Sequence, residues 1–185
     1  MKLFSKIFLL FFIALYCNLN LANSFVLTSN RLNDGEALDS DFVLNRFGCK
    51  GLNFSPPLLW EDVPLGTKSL ALTMRDTDVA NGEFYHWILV NIPAGTNRLW
   101  QNTEKSISYP LPQGSILLKN GYGVAGYSGP CPQKGSEPHR YEITVHALSV
   151  ESVAKDKNSS FKEVIDAIKS SEIEKATLTT IYQNK

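Results

Sequence analysis

From residue 25 onward the apolar positions fall in short runs bounded by Pro, Gly, Asn and Asp. That punctuation predicts strands. The expected strands are Phe25 to Thr28, Leu58 to Trp60, Ser69 to Met74, His86 to Ile92, Ile116 to Leu118, Tyr141 to Val150 and Ala176 to Tyr182. His86 to Ile92 is apolar on both faces, with Ile88, Val90 and Ile92 on one side and Trp87 and Leu89 on the other, which places it centrally in a sheet. From Tyr141 to Ala147, alternation puts Tyr141, Ile143, Val145 and Ala147 on one face, and His139 joins Tyr141 if the strand already begins there. One segment has helical period: Phe161, Val164, Ile165 and Ile168 form a stripe, and Ser160 with Glu163 forms a capping box, predicting a helix from Phe161 to Ser170. Thr96 to Ser115 is polar and turn-rich and reads as an extended surface loop. The pattern is mainly β: two packed antiparallel sheets with one or two peripheral helices, since the alternating helices of a parallel α/β fold are absent.

The first residues change the picture. Lys2 and Lys6 precede an apolar run from Ile7 to Tyr16, followed by a polar stretch ending in Ala22 and Ser24, the composition of a signal peptide over residues 1 to 24. The run is about half the roughly twenty residues that a membrane-spanning helix needs. The expectation is an exported protein, periplasmic or secreted, with no integral membrane segment after cleavage and a single domain over residues 25 to 185. The full chain is electrically neutral, with 18 basic and 18 acidic residues. Cleavage removes two lysines and leaves a net charge of about −2, and no basic patch invites nucleic acid. Cys17 leaves with the signal, so Cys49 and Cys131 remain, in a compartment where thiols oxidise. A disulfide between them would contribute roughly 4 kcal/mol by closing a long loop; two separate buried thiols are the alternative.

The chemistry gathers at strand ends. Asp76 and Asp78, His86, and the run GYSGPCPQKGSEPHRYEITVHAL from Gly126 to Leu148 place two carboxylates, two imidazoles and the Tyr141 phenol beside three strands. The order of FGCKGLNFSPPLLWEDVPLGTKSLAL, DTD, HWILVNIP, NGYGVAGYSGPCP and HRYEITVHAL resembles the phosphatidylethanolamine-binding protein family, in particular its exported bacterial branch, the Raf-kinase-inhibitor-like proteins. The resemblance covers nearly the whole chain after the signal. It implies a small anion pocket for phosphate-like head groups, with Asp76 and Asp78 as the acidic pair, His86 as the pocket histidine, Gly129 and Pro130 as the turn, and His139 and Tyr141 at the strand start. Two departures bear on ligand choice. The family's Asp-Pro-Asp-Ala-Pro is here Asp76-Thr77-Asp78-Val79-Ala80, without its prolines, and Phe84 stands at the pocket wall where Trp is common.

The expected role is binding of small phosphorylated or other anionic ligands, with modulation of a partner protein implied by the resemblance. The imidazoles and the Tyr141 hydroxyl would act as donors, and backbone N–H groups near Gly129 and Pro130 as an anion concavity. Each residue also has a structural reading: Asp76 and Asp78 in an Asx turn, the histidines and Tyr141 as core groups, Gly129 and Pro130 as turn geometry. A hydrolase is the weaker alternative, because Gly126-Tyr127-Ser128-Gly129-Pro130 departs from the nucleophile-elbow motif and a disulfide would consume Cys131. No cofactor or metal is expected, the ligand spacings being wrong for a tight site. The resemblance also allows a partner-binding surface and a homodimer.

Overall fold

The computed structural model describes residues 24–80 and 82–185, so the predicted signal peptide lies outside the described residues except for Ser24. In chain order the elements are β1 (Val26–Thr28), β2 (Glu36–Ala37), a 3-10 turn (Ser40–Phe42), β3 (Leu58–Glu61), β4 (Ser69–Asp76), β5 (Phe84–Pro93), β6 (Arg98–Leu99), β7 (Ile116–Leu117), β8 (His139–Leu148), α1 (Phe161–Ser171) and β9 (Glu172–Tyr182). Three strands form a small sheet in the order β1-β3-β6, and six form a large one in the order β2-β9-β8-β4-β5-β7. The two-sheet architecture is as expected, with one departure. β2 pairs with β9 in parallel, Glu36 opposite Thr180, at the edge of an otherwise antiparallel sheet.

The main core fills the space between the sheets. Leu27, Leu58, Trp60 and Leu99 from the small sheet meet Leu72, Met74, Trp87, Leu89, Ile143 and Val145 from the large one. Each such side chain, fully buried, contributes about 1.5–3 kcal/mol. A second cluster packs Ala71, Ile88 and Val90 from the opposite face of the large sheet against Val164, Ile165 and Ile168 of α1. The helix begins where predicted, with the Ser160 hydroxyl accepting from the Glu163 N–H.

Two bulges in β5 overturn the simple alternation. Leu72 faces Leu89 and Leu70 faces Ile92, so β5 carries one extra residue at Val90–Asn91, where Asn91 takes the left-handed region at φ 56°. Ile92 therefore joins Trp87 and Leu89 in the main core, not Ile88 and Val90 as the sequence pattern predicted. Asn91 holds this turn by donating from Nδ2 to Ala154 O (2.7 Å) and accepting from Val153 N–H (2.9 Å). At the second bulge Met74 faces Trp87 and Arg75 faces Tyr85, which leaves His86 as the extra residue. Its neighbours in sequence alternate; His86 does not, and its ring turns to the same side as Trp87, against Tyr141. The predicted surface loop from Thr96 to Ser115 proves to contain β6 and the buried Thr103.

Candidate functional site

β4 ends at Asp76 directly opposite Tyr141 of β8, and β5 begins at Phe84 opposite Asp76. Three strand ends thereby deliver their side chains to one place. A cavity of about 220 Å³ opens there, lined by Asp76, Val79, Phe84, His86, Tyr122, Cys131, Pro132, Gln133, His139 and Tyr141. Five predicted residues meet in it: Asp76, Phe84, His86, His139 and Tyr141. Three do not.

Asp78 turns outward, where its carboxylate accepts from Arg140 Nη2 (2.8 Å), Nε (3.0 Å) and backbone N–H (2.8 Å). Those bonds hold its carboxyl well below the usual aspartate range. Gly129 and Pro130 serve the fold. A Cβ on Gly129 would stand 2.1 Å from Phe42 O, so only glycine admits this approach, and Pro130 O accepts from Leu44 N–H (3.2 Å).

Asp76 performs two tasks with one buried carboxylate. Its Oδ1 accepts from Asp78 N–H (2.9 Å), an Asx turn that closes the strand end, while Oδ2 accepts from His139 Nδ1–H (2.8 Å). The Asx-turn reading of this residue is therefore met, and its second oxygen holds the His139 ring. His86 donates from Nδ1–H to Ser128 O (2.7 Å), and because a carbonyl only accepts, that bond sets the tautomer. Both imidazoles thus spend their Nδ1–H inside the protein, which leaves Nε2 as the remaining polar atom of each ring.

His86 sits in an aromatic enclosure. Phe84 (4.9 Å between centroids), Tyr141 (5.3 Å) and Tyr122 (5.8 Å) surround it. Burial in this enclosure pushes its pKa below the ordinary imidazole value, partly offset by the bond to Ser128 O and the charge of Asp76. Tyr141 is wholly buried, and burial together with the nearby Asp76 charge raises its phenol pKa. Its Oη makes no hydrogen bond of normal geometry, but the Asp76 carboxylate lies close enough to interact with it.

Sequence reasoning missed Val79, Tyr122, Pro132 and Gln133 of the lining, and Asn120 behind it. Tyr122 forms one wall, and Asn120 builds the loop that carries it: its Nδ2 donates to Gly126 O and Ser128 Oγ (both 2.8 Å), and its Oδ1 accepts from Tyr122 N–H (2.9 Å). Both lie in NGYGVAGYSGPCP, which has no periodicity to assign a direction to any side chain. Cys131, joined to Cys49 in a disulfide, adds a sulfur to the wall. Larger grooves lie beside β6 (about 350 Å³) and over His146 (about 450 Å³). Neither is lined by a residue with a buried orphaned polar atom. Among the described residues no group of three His, Cys, Asp or Glu side chains is placed to hold a metal ion, and no helix is long and apolar enough to cross a membrane.

Comparison with known proteins is consistent with this geometry. The protein YbcL of Escherichia coli K12 is 40% identical over 165 residues, spanning 89% of this chain and 90% of its own. A second E. coli protein, YbhB, is 42% identical over 135 residues, 72% of this chain and 84% of its own. The crystal structure of E. coli YbcL, described as a new member of the mammalian PEBP family, superposes with a TM-score of 0.82 over 87% of this chain and 99% of that one. CT736 of Chlamydia trachomatis, 27% identical, gives 0.73 over 88% and 99%. Residues 28–183 match the phosphatidylethanolamine-binding protein family, and the chain belongs to that family.

Proposed function

We propose that this chain is an exported binding protein whose cavity seats the phosphate-like head group of a small anionic ligand. The observation that carries the reading is the convergence of Asp76, Phe84, His86, Tyr122, His139 and Tyr141 on one open cavity at three strand ends. A tetrahedral anion offers acceptors to whatever N–H and O–H donors such a wall turns toward it. The Asp76 charge does not forbid an anion, because both its oxygens already accept hydrogen bonds, one of them from the His139 ring. Binding is favoured over hydrolysis by the lining itself: it contains no serine, threonine or free thiol, and Ser128 Oγ is engaged by Asn120 outside it.

The tautomers make the binding depend on pH. A neutral imidazole whose proton sits on Nδ1 can only accept at Nε2, so donating to an anion there requires a second proton. Burial disfavours that proton on His86 in the empty cavity, and a bound anion restores it. Affinity for an anion is therefore expected to rise as pH falls from about 7.5 to about 5.5. Sulfate, whose own charge is constant over that range, separates this effect from titration of phosphate. Calorimetric titration with both ions, with imidazole NMR signals of His86 and His139 followed in parallel, tests the proposal. Absence of any imidazole shift at millimolar phosphate would end it.

A further inference from the structure

We propose that the Cys49–Cys131 disulfide is a latch on this cavity, opened by a dithiol reductant. The inference rests on the reading of the cavity as an anion site. Cys131 lines the cavity, and the disulfide ties it to Cys49 on the short loop of residues 45–50, whose Phe47 packs on the cavity-wall residue Tyr122. The loop is anchored at both ends, where Leu44 N–H donates to Pro130 O (3.2 Å) and Gly51 N–H to Leu44 O (3.0 Å). Between these anchors the backbone has one bond of its own, Cys49 N–H to Arg46 O (3.0 Å). Phe47 occupies the left-handed region at φ 54°, a conformation that a bulky side chain adopts at a cost, and is 75% exposed. Its ring lies on that of Tyr122 (5.7 Å, 23°), which is itself a cavity wall. The disulfide is thus the covalent tie that keeps a poorly bonded, conformationally costly loop against the wall.

The two sulfurs differ in access. Cys49 is buried, whereas Cys131 is partly exposed at the cavity. A thiolate of the reductant attacks Cys131 Sγ, forming a mixed disulfide, and Cys49 leaves as a thiolate flanked in sequence by the cations Arg46 and Lys50. The reductant's second thiol then closes on its own sulfur and releases Cys131. The reductant departs as a cyclic disulfide, its two thiol protons end on Cys49 and Cys131, and two electrons have passed to the protein.

The experiment compares oxidised protein with protein reduced by dithiothreitol, with free thiols counted. Near-UV circular dichroism reports the fold, mass spectrometry follows trypsin cleavage after Arg46 and Lys50 with Lys157 as a reference site, and calorimetry measures inorganic phosphate binding. The latch requires that the reduced protein stay folded, that cleavage at the loop alone accelerate by about tenfold or more, and that phosphate affinity fall roughly three- to tenfold, the cost of re-ordering one aromatic wall. Unchanged cleavage, unchanged affinity or global unfolding on reduction each overturns it. Oxidised protein that takes no phosphate sinks the anion-site reading, and loop cleavage then decides the latch by itself.

Discussion

Tyr141 separates a structural from a functional account through one substitution. Its hydroxyl lies against the Asp76 carboxylate without a hydrogen bond of normal geometry, so Tyr141→Phe is expected to change stability by no more than about 1 kcal/mol, read by urea unfolding. The same change removes a donor from the cavity and is expected to weaken phosphate binding about tenfold, read by calorimetry. A loss of stability with affinity intact would mean that the hydroxyl serves the fold. Of the candidate residues, those at strand ends were legible because alternation fixes their direction: His139 and Tyr141 share a face, and Tyr141 pairs with Asp76. Asp78 was not, since nothing in the spacing shows that Arg140 would capture its carboxylate. Gly129 lies outside the cavity lining for a similar reason, its close approach being set by a segment more than eighty residues away, and this is the turn-geometry reading the sequence also allowed.

Within elements, the lesson is carried by β5. An apolar run of period two says nothing about where an extra residue enters, and the two bulges decide both the burial of Ile92 and the aim of His86. The Asn91 bulge is testable. Asn91→Ala combines a left-handed backbone with the loss of two hydrogen bonds to residues 153 and 154, and is expected to cost about 2–4 kcal/mol in chemical denaturation. Asn91→Gly keeps the backbone conformation available and should fall between that variant and the parent. Equal losses for Ala and Gly would show that side-chain bonds, not backbone geometry, set the bulge. The two-residue strands β2 and β6 escaped the sequence reading because a pair of residues has no period.

The layering of the whole molecule was legible, because two sets of half-buried strands have to cover one another and a single amphipathic helix has one face left to cover. The disulfide was legible by arithmetic, two cysteines remaining once the predicted signal segment is set aside. With a sequence separation of 82 between its cysteines, the link is expected to stabilise the fold by about 4 kcal/mol through the unfolded chain, seen as a lower urea midpoint after reduction. A loss below about 1 kcal/mol would show that the unfolded ensemble is already compact there. The parallel pair was not legible, and it has a further consequence. Glu36 sits beside Thr180, 144 positions later, and β9 stands between β2 and β8. The early strand therefore stays unpaired until β9 has docked on β8, so closure of this edge is a late event in folding, and until then the chain exposes an open strand to aggregation.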